Sequence, residues 1–168
     1  PLVIAELTAI NRALEQPSRP LLAIVGGAKV STKLDVLKQL LYKVDVLIPG
    51  GGIANTLLRA AGYDVGKSLV EANLLDVAKS LLHEAKQHGT DIPLPIDVVV
   101  ATAFHQEAKA EIKAVDALSH DDMILDIGPR TSAHYLKLIQ EAGTVIWNGP
   151  VGVFEFPSFA AGTFALAH

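Results

Sequence analysis

Two lysines stand four residues apart just after a glycine pair, in the run Gly26-Gly27-Ala28-Lys29-Val30-Ser31-Thr32-Lys33. Continued as a helix, that spacing puts both ammonium groups on one side. A helix begins with unpaired N–H groups and a partial positive charge, so cations belong at its other end unless an anion binds. Two of them at the start therefore predict a phosphate-binding turn. The competing reading leaves both lysines in solvent, their stems covering apolar surface; the misplaced charge favours the phosphate.

Other glycine turns share the pattern. Gly50-Gly51-Gly52-Ile53-Ala54-Asn55-Thr56 reads as a second strand-to-helix turn, whose missing side chains would leave a flat slot for an adenine. No Gly-x-Gly-x-x-Gly occurs, which argues against a dinucleotide fold of the dehydrogenase kind. The run Gly62-Tyr63-Asp64-Val65-Gly66-Lys67-Ser68 misses a Walker A loop by one residue and follows a helix pattern, so Lys67 is assigned to the surface. Asp126-Ile127-Gly128-Pro129 closes another strand, with Pro129 suited to the next helix or turn; Asp126 is either a site acid or a turn residue. The loop Trp147-Asn148-Gly149-Pro150-Val151-Gly152-Val153-Phe154-Glu155 offers apolar surface, an amide and a carboxylate, a set that suits a base and a ribose. An exposed loop glutamate is otherwise simply solvated.

These turns need elements to hold them. Apolar runs at residues 21–25, 44–48, 96–101, 123–127 and 144–147 read as strands, and most lack polar alternation, as in a parallel sheet covered on both faces. Helical spacing separates them, in Val3, Leu7, Ile10, Leu14 and in Leu74, Ala78, Leu81, Ala85. Gly89 and Gly143 follow such patterns as left-handed helix ends. The expected fold is α/β, a doubly wound parallel sheet with helices on both faces, a Rossmann-like three-layer sandwich. Eight of the thirteen glycines then fall just after strands, along the carboxyl edge where such sheets bind ligands. Any one of them serves a tight turn equally well; four turns together favour a binding edge.

Composition bounds the rest. The 168 residues are 50% hydrophobic with a formal charge of −4, enough apolar content for one core and no basic field for nucleic acid. The apolar runs are far short of the roughly 20 residues a membrane span requires. No cysteine is present, which excludes disulfides and thiolate metal sites and suits a cytoplasmic protein. His83, His88, His105, His120, His134 and His168 form no metal-ligand spacing, and His120, Asp121 and Asp122 read as a turn. The chain opens on Pro1 with a helix pattern close behind, which suggests a piece of a longer protein.

Residues 26–33, 50–56, 126–129 and 147–155 together, in this order, resemble phosphoglycerate kinase, with 147–155 the most diagnostic stretch. The resemblance covers essentially the whole chain. It implies an interdomain helix and linker over residues 1–19 and a nucleotide-binding domain over 20–168, incomplete at its end. It implies that Lys33 holds nucleotide phosphates, that Lys29 is catalytic and meets the phosphoryl group in flight, that Asn148 contacts the phosphate chain and that Glu155 binds the ribose. Gly26, Gly27, Ala28, Gly51, Gly128, Gly152 and Val153 are expected to line the nucleotide, with Pro150 beside sugar and base. The cofactor implied is ATP or ADP with Mg²⁺ carried by the nucleotide, and no protein metal ligand is assigned. The reaction implied is reversible phosphoryl transfer between ATP and 3-phosphoglycerate in glycolysis, giving ADP and 1,3-bisphosphoglycerate. Such transfer depends on positioning and charge neutralisation.

Against the family pattern, the N-terminal domain that binds 3-phosphoglycerate and the final Gly-Gly-Gly-Asp-type loop are missing from the 168 residues. The expectation is therefore a fragment that binds adenine nucleotide without turnover, from a monomeric parent. The alternative is a stand-alone nucleotide-binding or structural α/β module with no catalysis.

Overall fold

A computed structural model describes residues 19–103 and 108–148, together with the backbone of Leu2–Ile4. In chain order its elements are β1 (Leu2–Ile4), β2 (Leu21–Val25), helix α1 (Val30–Leu41), β3 (Val46–Pro49), α2 (Gly51–Ala60), a 3₁₀ turn (Ala72–Leu74), α3 (Leu75–His88), β4 (Asp97–Ala101), β5 (Glu111–Ala114), β6 (Met123–Ile127), α4 (Pro129–Glu141) and β7 (Thr144–Asn148).

The main sheet runs β1-β7-β2-β3, all parallel. All five residues of β2 are buried, because alternate side chains serve two cores. Leu21, Ala23 and Val25 pack with Leu37, Leu40 and Leu41 of α1, Ile53 and Leu57 of α2, and Ala78, Leu81 and Ala85 of α3. Leu22 and Ile24 face the other way, onto Tyr135 of α4 with Ile48 and Trp147. Each such aliphatic side chain stabilises the fold by about 1.5–3 kcal/mol on burial. The result is the doubly wound three-layer sandwich, and it accounts for the unbroken apolar runs.

Two of the expected strands lie elsewhere. β4 and β6 form a second sheet with β5, in the order β5-β4-β6, and both pairings are antiparallel. Central β4 is buried along its length, so its composition matches that of a parallel strand and apolar content does not distinguish the two cases. Edge strand β5 is polar and largely exposed, and no apolar run marks it. The small sheet joins the large one where Ile127, at the end of β6, enters the α4-side core.

The N-terminal segment also departs from expectation. Val3 belongs to β1, in register with Ile146 of β7, and not to a helix; Leu-Val-Ile favours an extended backbone beside an open sheet edge. Residues 5–18, where the helical spacing continues, lie outside the described residues. Gly89 ends α3 with φ 86°, in the left-handed conformation expected. Gly143 does not: α4 leaves through extended Ala142, and the Gly143 N–H donates to the Pro20 carbonyl as the chain enters β7.

Candidate functional site

Parallel pairing puts the carboxyl ends of β2, β3 and β7 side by side, and the turns that follow β2 and β3 meet there. Val25 is in register with Pro49 on one side and Asn148 on the other. The Gly26 N–H extends the ladder to the Asn148 carbonyl at 2.7 Å, and the Gly50 N–H reaches the Val25 carbonyl at 2.9 Å. One residue further on, the Ile53 N–H of α2 donates to the Gly27 carbonyl at 3.1 Å. The turn after β2 and the start of α2 are therefore locked backbone to backbone.

That lock explains the glycine triplet. Gly51 has φ 62°, and a side chain on it would begin 2.7 Å from the Gly27 carbonyl oxygen. A Cβ on Gly52 would sit 2.0 Å from the Ala28 carbonyl oxygen. Both positions need glycine so that two backbones can touch, a reason that involves no ligand. Gly27 is different: a Cβ there would make only an ordinary contact with the stem of Lys33, 3.5 Å from its Cε, and it is the φ of 153° that favours glycine.

Lys33 crosses that turn to donate to the Asn148 side-chain oxygen. It is half-buried and stands one turn into α1. Lys29 is the N-cap of the same helix, extended and exposed, with no side-chain cap bond of its own. The two lysines are thus not a helical pair; one is tied down and the other is exposed. The helix start has an anion already. Glu71, just before the 3₁₀ turn, accepts the Ser31 N–H at 3.0 Å and the Ser31 hydroxyl at 2.8 Å. The Ser31 N–H bond chiefly holds the Glu71 carboxyl below its ordinary value; desolvation opposes this, and the Ser31 hydroxyl, Val30 N–H and Lys29 charge reinforce it. Glu71 carried no motif signal, since it follows the Walker-like decoy and lies forty residues from its partner.

Gly128 and Asp126 belong to a different arrangement. Asp97 of β4 accepts the Arg130 N–H at 3.0 Å, the Thr131 N–H at 2.8 Å and the Thr131 hydroxyl at 2.7 Å, capping α4 from another strand. A Cβ on Gly128 would lie 2.3 Å from the Asp97 carboxyl carbon, so this glycine makes room for the cap. Asp126 is buried in β6 and accepts the N–H of Ile127, so it stands in a strand and not in a turn. The decoy behaves as surface: Lys67 is exposed and pairs with Asp121 at 3.6 Å. His120 and Asp121 form a turn, and Asp122 is taken up by Lys113 at 2.7 Å. Among the described residues, no group of three or more acidic or histidine side chains is placed to hold a metal ion, and no helix is long and apolar enough to cross a membrane.

A strand-to-helix lysine turn beside an asparagine-ended strand is a specific enough arrangement to compare with known proteins. The family model for phosphoglycerate kinase matches residues 1–168. The chain belongs to the phosphoglycerate kinase family. The phosphoglycerate kinase of Coxiella burnetii is similar, with 53% identity and a TM-score of 0.92 over 96% of this chain and 42% of that one. The phosphoglycerate kinase of Pyrococcus horikoshii OT3 shows 28% identity and a TM-score of 0.81 over 96% of this chain and 41% of that one. The 168 residues thus span about two-fifths of the length of these relatives. Of the site residues expected from the phosphoglycerate kinase resemblance, Gly26, Gly27, Ala28, Lys29, Lys33, Gly51 and Asn148 lie at the converging ends of β2, β3 and β7 and at the starts of α1 and α2. Gly128 stands beside Asp97. Pro150, Gly152, Val153 and Glu155 lie outside the described residues.

Proposed function

We propose that these 168 residues hold the adenine nucleotide, ATP or ADP with its Mg²⁺, for the phosphoglycerate kinase reaction between ATP and 3-phosphoglycerate. The observation that carries the reading is the bond from the Lys33 ammonium to the Asn148 amide oxygen across the carboxyl ends of β2 and β7. An ammonium, an amide and an exposed second ammonium on Lys29 form a donor set that suits a polyphosphate. Lys33 and Asn148 are proposed to bind the phosphate chain, and Lys29 to neutralise charge on the phosphoryl group as it moves. Mg²⁺, which supplies charge neutralisation on the phosphate oxygens when bound, is proposed to be carried by the nucleotide. Pro150, Gly152, Val153 and Glu155 are proposed to complete the sugar and base contacts, and Gly128 is proposed to border them. Residues 1–19, in which Leu2–Ile4 form β1, are proposed as the interdomain segment and linker, and residues 20–168 as the nucleotide-binding domain. The setting proposed is glycolysis in the cytoplasm, within a monomeric enzyme. 3-Phosphoglycerate is assigned to chain beyond these residues, so the 168-residue polypeptide is expected to bind nucleotide without turnover.

Calorimetric titration of MgADP tests this. Wild-type protein should bind, and Lys33→Ala should bind roughly ten- to hundredfold more weakly, the range for losing a hydrogen bond to a charged group. Glu155→Ala should weaken binding as well. No binding by the wild type would remove the nucleotide reading, and equal affinity in Lys33→Ala would place the nucleotide elsewhere.

A further inference from the structure

Glu71 has every polar group committed. Its N–H donates to the Thr56 hydroxyl at 3.2 Å, its carbonyl accepts the Leu74 N–H at 2.9 Å, and its carboxylate takes both donors of Ser31. Thr56 is fully buried in α2 and its hydroxyl donates to the Gly52 carbonyl at 2.8 Å. Gly52 in turn lies against the Ala28 carbonyl, and Ala28 leads through Lys29 and Val30 back to Ser31. The contacts close a ring: Ser31, Glu71, Thr56, Gly52, Ala28 and again Ser31. The ring encloses the turn that carries Lys29 and fixes the first turn of the helix that carries Lys33. Lys29 lacks a cap bond of its own, so the helix start depends on an acceptor brought from elsewhere in the chain.

We propose that Glu71, braced by Thr56, is a positioning residue for the phosphate end of the nucleotide site: it holds the start of α1 against α2 so that Lys29 and Lys33 meet the phosphates in a fixed arrangement. This rests on the nucleotide reading above. The role comes from Glu71's shape and acceptor oxygens and not from its charge, because a carboxylate near a phosphate is electrostatically unfavourable. Uncharged glutamine retains an oxygen that can accept from Ser31, so Glu71→Gln separates the two effects.

The test compares wild type, Glu71→Gln and Glu71→Ala for MgADP and for adenosine, which lacks phosphates, by nuclear magnetic resonance titration. Glu71→Ala should bind MgADP about five- to tenfold more weakly, the loss expected when a helix start loses its capping acceptor. Glu71→Gln should stay within about threefold of wild type, and adenosine affinity should be unchanged in both. Equal MgADP affinity in all three proteins overturns the proposal. So does tighter binding by both variants, which would make Glu71 a mere competing anion, and so does a parallel loss for adenosine, which would mean general disruption. If Glu71→Ala fails to fold by circular dichroism, Ser31→Ala carries the test, since it removes the hydroxyl contact alone; a twofold or larger loss for MgADP supports the role and an unchanged value overturns it. A wild type that binds neither ligand removes the nucleotide reading and this role together, whereas binding that is indifferent to Glu71 removes this role only.

Discussion

Replacing Gly52 with alanine adds one methyl group where the structure leaves no room for it. The new Cβ would stand 2.0 Å from the Ala28 carbonyl oxygen, 2.8 Å from its carbon and 3.1 Å from its Cα. Ordinary contacts between such atoms fall near 3.5 Å, so the two backbones must separate by roughly 1.5 Å. Neither side has a flexible chain end that can yield. Separation on that scale breaks the bond from the Ile53 N–H to the Gly27 carbonyl and leaves buried polar groups unpaired, at about 1–3 kcal/mol. Overpacking adds about 1–3 kcal/mol, and the better helix propensity of alanine returns at most about 1 kcal/mol. Gly52→Ala should therefore lose roughly 1–6 kcal/mol. Trp147 is the sole tryptophan and is buried in β7, so its fluorescence in urea reports the unfolding of the main sheet. Gly62→Ala serves as the control: a Cβ there meets nothing within 4 Å, and only about 1 kcal/mol of backbone strain is expected from its positive φ. A Gly52→Ala midpoint indistinguishable from wild type, or a larger loss for Gly62→Ala, would refute the close-approach argument.

Asp97→Ala should cost about 2–4 kcal/mol in the same urea assay, because the Arg130 and Thr131 N–H groups at the start of α4 lose their acceptor; a loss below about 0.5 kcal/mol would mean that water replaces the carboxylate. Lys113→Met leaves buried Asp122 with only its two Ser119 bonds. Since the Lys113 side chain is 22% exposed and partly screened, a loss of about 1–3 kcal/mol is expected, and an unchanged midpoint would count against the pair. Acid should unfold the protein through carboxyls held below their ordinary values. For Asp122 burial pushes the carboxyl up, but its bonds from Lys113 and Ser119 more than offset this, and Glu71 is held down chiefly by the Ser31 N–H. Groups with lowered folded values lend stability above their unfolded values and lose it as pH falls through the folded ones. Urea midpoints should thus hold from neutrality down to about pH 5 and fall below about pH 4, a fall that Lys113→Met should lessen; a rising midpoint in acid would reverse the sign.

The sequence shows the layers of this fold more clearly than its sheet partners. β2 reads correctly because a strand buried on both faces has to be apolar at every position, and Leu21 to Val25 are. β4 meets the same demand for a different reason, at the centre of an antiparallel sheet, so its five buried residues do not announce their direction. β5 is invisible by the same logic, since an exposed edge carries Glu111 and Lys113 as a loop would. At the site, Lys33 and Asn148 are legible because glycine turns after strands mark the carboxyl edge of a parallel sheet, and β2 and β7 are neighbours there. Glu71 is illegible because its partner is set by how the loop before α3 folds back onto α1, a matter of tertiary packing that leaves no periodic trace.

Glycine shows why a correct location and a correct cause are separate achievements. Gly50-Gly51-Gly52 was expected beside the ligand because a bare backbone can admit one, and the triplet does lie at the edge where Lys33 meets Asn148. Its second and third members are required by contact with Gly27 and Ala28 instead. The two reasons are connected, because a turn pressed against its neighbour cannot shift when charge arrives. Catalysis of phosphoryl transfer gains from donors already in place and loses when they must be reorganised. The exposed ammonium of Lys29 is carried by a backbone fixed on one side by α2 and on the other by Glu71. The backbone at Lys29 is thus held while its side chain stays exposed, the arrangement that the role proposed for Lys29 requires.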